Sequence, residues 1–154
     1  MRKIFQTLVV LFILALVVIQ FFQPEKNNGQ IDSNHILKSE QLPDEISTLL
    51  VNACLDCHSD QTRYLWYHQV APVSWFINGH ITEGKGELNL SDWGTWDPID
   101  KITALDDMAT EVRKGKMPLK SYVLIHRKAK LSEAQKAELI AWTESLSEKI
   151  LTGE

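Results

Sequence analysis

The sequence predicts an all-α protein: a small helical domain carried behind a single N-terminal transmembrane helix. Three observations lead there. Ile4 to Phe22 contains only Gln6, Thr7 and Gln20 as polar residues, and Leu8 to Ile19 is unbroken apolar sequence. Beyond it, apolar residues recur at three- and four-residue spacing in separate stretches, bounded by helix start and stop signals. No stretch shows the alternation of a half-buried strand, and no internal repeat is visible.

The chain has 154 residues, the size of one domain with appendages. Hydrophobic residues make up 44% and charged ones 23%, enough for a real core and a solvated surface. Arg2 and Lys3 are the only charges in the first 23 residues, so taking their +2 from the net −4 leaves −6 on the remainder. An acidic soluble part does not point to nucleic acid or to an anionic membrane surface as partner; it suits a basic protein, although acidic surfaces more often serve solubility alone.

Nineteen residues from Ile4 to Phe22, at about 1.5 Å each, nearly span a hydrocarbon core of about 30 Å. Arg2 and Lys3 precede this stretch, which keeps residues 1–3 cytoplasmic and sends everything after Phe22 outward. A cleaved signal peptide is the competing reading. It needs small residues after the apolar core, whereas Gln20-Phe21-Phe22-Gln23-Pro24 stands there and no small residue precedes Gly29. The expectation is an uncleaved single-pass anchor over 4–22 in the inner membrane, with the C-terminal domain in the periplasm. Residues 23–41 are polar and read as a loose tether, with His35 solvated. The domain is expected over 42–154.

Pro43-Asp44-Glu45 opens the first domain helix, with acids placed against the N-terminal dipole. Ile46, Leu49, Leu50 and Ala53 form its apolar stripe. Pro72 opens a second helix towards Leu88, followed by a loop from Asn89 to Asp97. Asp97-Pro98 caps a third helix whose buried stripe is Ile102, Leu105, Ala109 and Val112, with Lys114-Gly115 as its stop. Ser132 and Gln135 form a capping box for the last helix, whose apolar face is Leu139, Trp142, Leu146 and Ile150.

The first domain helix leads straight into Cys54-Leu55-Asp56-Cys57-His58, a CxxCH pattern containing both cysteines of the chain. Two thiols at this spacing can each add across a vinyl group on one porphyrin edge, and the next residue offers an imidazole to the iron. A thioredoxin-type redox pair would need a βαβ context, and none is visible. A zinc site would need about two further ligands, and His58, His68 and His80 are irregularly spaced for that role. The reading is one covalent haem c per chain, bound by Cys54 and Cys57 with His58 as proximal iron ligand.

A second axial ligand is sought among three methionines. Met1 lies at the anchor's end, and Met108 reads as core filler on the third helix. Met117 stands in Gly115-Lys116-Met117-Pro118-Leu119, a loop in which the following proline holds its backbone extended. Met117 is the expected sixth ligand, with His68, His80 and His126 as competitors. Trp66, Trp75, Trp93 and Trp96 are expected as core around a flat cofactor. Tyr122, Arg63, Lys116 and Lys120 could reach its propionates.

Together the CxxCH stretch to Ser59, Tyr64-Leu65-Trp66-Tyr67, Ala71-Pro72-Val73-Ser74-Trp75, Leu88-Asn89-Leu90-Ser91-Asp92-Trp93-Gly94, and Gly115-Lys116-Met117-Pro118-Leu119-Lys120-Ser121-Tyr122 resemble the bacterial haem-binding domain family with a CxxCH motif, over about residues 42–150. The resemblance implies a cytochrome-c-like helical fold, covalent haem at Cys54 and Cys57, and iron ligation by His58. It leaves the reaction open. The leading expectation is a membrane-anchored monohaem c-type cytochrome that passes single electrons to a redox partner protein on the periplasmic side, and is no enzyme. The alternative is a haem-based sensor or peroxidase-like enzyme with an open sixth coordination site, for which His68 and His80 with Glu83 or Glu87 would have to supply distal acid–base groups.

Overall fold

The computed structural model describes residues 1–153. The protein is all-helical, and the one strand-like feature among the described residues is an isolated antiparallel bridge between Asn28 and Gln61. The helices are α1 (Arg2–Ile19), α2 (Ile36–Ser39), α3 (Asp44–Ala53), α4 (Val73–Glu87), α5 (Pro98–Arg113), α6 (Lys120–Ile125) and α7 (Glu133–Thr152). Short 3-10 turns lie at Trp66–Gln69, Trp93–Thr95 and Arg127–Ala129.

α1 is long and apolar enough to cross a membrane, and none of its residues is buried. It stops three residues short of the expected Phe22. The Gln20 side chain turns back there, donating from Nε2 to Leu16 O (2.8 Å) and to Ala71 O (3.0 Å), and accepting from Ala71 N (2.9 Å). Trp75 Nε1 donates to Phe22 O at 2.6 Å. The end of α1 is therefore fastened to the start of α4.

The other helix signals act as their chemistry dictates. The Asp97 side chain accepts from the backbone N–H groups of Ile99 and Asp100, and Pro98 occupies the first turn of α5. Ser132 and Gln135 form the reciprocal box at α7. Gly115, with φ of +65°, carries the chain out of α5 in the left-handed region that suits glycine. α5 and α7 are the most extensively packed pair, and α3 lies across α7. Leu50, Leu105 and Leu139 meet in the core between them.

Residues 23–41 differ from the expected tether: they are strapped against the domain. Asn27 is bonded to Tyr64, Ser59 and Thr62, and Gly29 N donates to Asp60 O at 2.7 Å. His35, expected in solvent, is 1% exposed, and Ile36 joins the core with no exposed surface. Glu40 accepts from Trp93 Nε1 at 2.7 Å and pairs with Lys101. Polar composition misled because these amides and carboxylates spend their hydrogen bonds on the domain rather than on water, around two apolar residues, Ile36 and Leu37. Ile36→Val should therefore cost about 0.5–1.5 kcal/mol in urea unfolding, as for a core isoleucine; a loose tether would show no change.

Candidate functional site

The end of α3 delivers the cysteine motif. Cys54 N and Leu55 N both donate to Leu50 O, after which Cys57 N and His58 N donate to Cys54 O at 3.1 and 3.0 Å. The motif is thus one tight turn continuing the helix. The far end of α4 holds it from the other side. His58 Nδ1 lies 3.0 Å from Leu88 O, and Leu90 N donates to His58 O at 2.8 Å. A carbonyl oxygen only accepts, so Nδ1 carries the proton and Nε2 keeps its lone pair. Burial lowers the His58 pKa, against the opposing pull of the Leu88 and Gly84 carbonyls, and so favours the neutral ring that a metal requires.

Gly84 makes this contact possible. A Cβ there would sit 2.9 Å from Cys57 O and 3.2 Å from Cys57 Cβ. Gly84→Ala should push α4 off the motif and cost about 1–3 kcal/mol in thermal unfolding; a gain in stability from better helix propensity would show that the contact yields freely.

Two adjoining hollows open beside the motif, of about 450 and 310 Å³. The larger is walled by Leu88, Ala104, Met108, Val112 and Leu131. The smaller takes in Cys57, His80 and Tyr122. Cys54, His58 and Met117 border both, so the four residues singled out by sequence surround one region of the molecule.

The donor set fits a haem attached through its vinyl groups. Neither cysteine is in a disulfide. Burial, helped by the neighbouring Cys57, pushes the Cys54 thiol up to about 12. Burial, with Asp56 adding to it, pushes Cys57 up to about 11. Both remain neutral thiols, the opposite of a redox pair, whose reactive thiolate is stabilised. A zinc centre lacks ligands: among the described residues no three His, Cys, Asp or Glu side chains are grouped so as to hold one metal ion. Met117 is half-buried against the core, and its loop is folded back on α5 by hydrogen bonds from Lys116 N and Met117 N to Glu111 O.

Among the competing histidines, His68 and His126 are already engaged. His68 is buried, and its Nδ1 accepts from Leu65 N at 2.6 Å. His126 Nε2 is 2.6 Å from the Tyr67 hydroxyl. His80 is the remaining candidate: it borders the smaller hollow, and its Nε2 is buried without a partner.

Two expected roles differ. Arg63 and Tyr122 do not stand free for propionates; both clamp Asp56, the buried acid inside the motif. Arg63 donates to its two carboxylate oxygens at 3.0 and 3.1 Å, and the Tyr122 hydroxyl donates at 2.6 Å. Lys116 pairs with Glu111 at 3.5 Å, and Lys120 is exposed. Trp93 is fully buried, but Trp66 is 77% exposed and Trp75 is also exposed, so only part of the aromatic set is core. Asp56 escaped notice in the sequence because spacer positions of such a motif carry no signal of their own. Its two partners lie 7 and 66 residues downstream.

A family model described as a haem-binding domain matches residues 14–145. No curated protein and no solved structure matches the chain. The family match takes in the whole of residues 23–41, in keeping with their packing against the domain.

Proposed function

The chain belongs to the haem-binding domain family, and on that premise we propose a membrane-anchored monohaem c-type cytochrome that transfers single electrons on the periplasmic side. The observation that carries this reading is the convergence of Cys54, Cys57, His58 and Met117 on adjoining hollows with apolar walls. Bound haem supplies a one-electron iron couple. Cys54 and Cys57 would hold the cofactor covalently, each through one thioether to a vinyl carbon. His58 offers Nε2, oriented by Leu88, and Met117 offers its thioether. Leu88, Met108, Val112 and Leu131 keep water away. α1 anchors the domain, and Arg2 and Lys3 hold its start in the cytoplasm. The electron passes to or from a redox partner protein.

The test uses the full chain matured in the periplasm. Acid–organic extraction should leave the haem on the protein, and spectra should be low-spin and six-coordinate in both oxidation states, without carbon monoxide binding. Extractable haem would overturn the covalent attachment. One observation favours a second reading, a sensor or peroxidase-like protein with an open sixth site: His80 Nδ1 lies 4.0 Å from Glu83 Oε2 beside the smaller hollow, an imidazole next to a carboxylate as distal acid–base chemistry needs. High-spin haem with rapid carbon monoxide binding and peroxide turnover in the wild type would select it.

A further inference from the structure

An exposed apolar face runs from the end of α1 across the start of α4 to α6. Trp66 is 77% exposed, Phe76 60%, Leu124 66% and Ile125 57%, and Val70 and Val73 are exposed beside them. The parts are contiguous. The Tyr67–His126 hydrogen bond joins the Trp66–Gln69 turn to the end of α6, and Val73, Phe76 and Ile125 border one hollow. The face continues directly into α1, because Gln20 and Phe22 are hydrogen-bonded to Ala71 and Trp75. A soluble monomer rarely leaves such a surface bare.

Charge is distributed to match. Between Gln61 and Thr82 there is no acidic residue. Between Val112 and Lys130 there are seven basic residues and no acidic one, all seven exposed, while the rest of the chain sets the other nine of its sixteen basic residues against twenty acidic ones. Arg127, Lys128 and Lys130 follow Leu124 and Ile125 just after His126, and no carboxylate of the described residues pairs with them. The acidic total of the domain thus conceals a basic rim beside an apolar face. Exposed tryptophan and phenylalanine flanked by lysine and arginine suit the headgroup region of a bilayer.

We infer that this face rests on the outer leaflet of the same bilayer that α1 enters, with Trp66, Phe76, Leu124 and Ile125 in the interface and Arg127, Lys128 and Lys130 among anionic headgroups. The inference rests on the anchor reading. Lipid is favoured over a protein partner because the face is continuous with a lipid-spanning helix and no free spacer separates them. Cys57 borders the same hollow as Phe76 and Ile125, so the attachment site lies towards the membrane side of the domain.

The test is hydroxyl-radical footprinting of the full haem-loaded chain in nanodiscs containing anionic phosphatidylglycerol, compared with the same chain in amphipol. Modification of Trp66 and Phe76 should fall at least threefold in nanodiscs, while Ile99 and Leu151, exposed elsewhere, stay unchanged. Reversing charge with R127E/K128E/K130E, or using zwitterionic lipid alone, should restore at least half of the lost reactivity. Incorporation without shielding overturns the docking and leaves the anchor standing. Failure to incorporate overturns both. Shielding that appears in amphipol and grows with protein concentration overturns it in favour of a protein partner.

Discussion

Met117→Ala is expected to turn the oxidised and reduced spectra from low-spin to high-spin and to open the iron to carbon monoxide. The expectation follows from position. Met117 borders both hollows together with His58, on a loop held to Glu111 O by two backbone hydrogen bonds. No other methionine thioether takes its place: Met108 is 8% exposed on α5 and borders the larger hollow alone, and Met1 lies at the far end of α1. Loss of a methionine ligand should also lower the reduction potential, since methionine favours the reduced state. The stability cost should be modest, about 1–2 kcal/mol, below the range for a fully buried methionine because the side chain is half-buried. His80 sets the competing outcome. Its unpartnered Nε2 could enter the sixth position, and a bis-histidine spectrum in Met117→Ala that becomes high-spin in M117A/H80A would show that takeover. A wild-type spectrum retained in Met117→Ala would refute the assignment of Met117.

The four positions proposed to hold the haem stand out in the sequence because each rests on local chemistry. Cys54, Cys57 and His58 are read from spacing, and Met117 from a helix stop followed by proline. The caps at Asp97 and Ser132 were legible for the same reason: a side chain three residues or fewer from the N–H it satisfies. Residues whose role depends on a distant partner were not. His35 and Ile36 sit in a polar stretch, and only the folded chain shows Ile36 N donating to Leu90 O and Glu40 accepting from Trp93. Trp66 and Trp93 are the same residue type with opposite fates, one bare and one buried, because Trp93 has Glu40 for its indole N–H while Trp66 stands in the face beside α1. The helix α6 escaped reading because Lys120 to Ile125 is only six residues long and buries no side chain completely.

The CxxCH turn and the Met117 segment come from distant parts of the sequence, and Asp56 joins them. Tyr122 stands five residues beyond Met117, and its hydroxyl bonds to Asp56 at 2.6 Å, while Arg63 grips both oxygens of the same carboxylate. Burial acts to raise the Asp56 pKa, but the hydrogen bonds from Arg63 and Tyr122 outweigh it and hold the carboxyl below the usual range. Asp56→Ala should cost about 2–4 kcal/mol in urea unfolding, less than a fully buried pair because half of the Arg63 side chain can turn to water. The folded-state pKa lies below the ~3.9 of a free aspartate, so the carboxylate's contribution is full above that value and is lost as pH falls through the depressed one. The gap between variant and wild type should therefore be wide at pH 7 and narrow in acid. Tyr122→Phe separates the two halves of the clamp: it leaves the Arg63 pair in place but frees the Met117 segment from the motif. A role in positioning Met117 predicts a mixed low- and high-spin spectrum in Tyr122→Phe. A wild-type spectrum with only a stability loss would confine the clamp to packing.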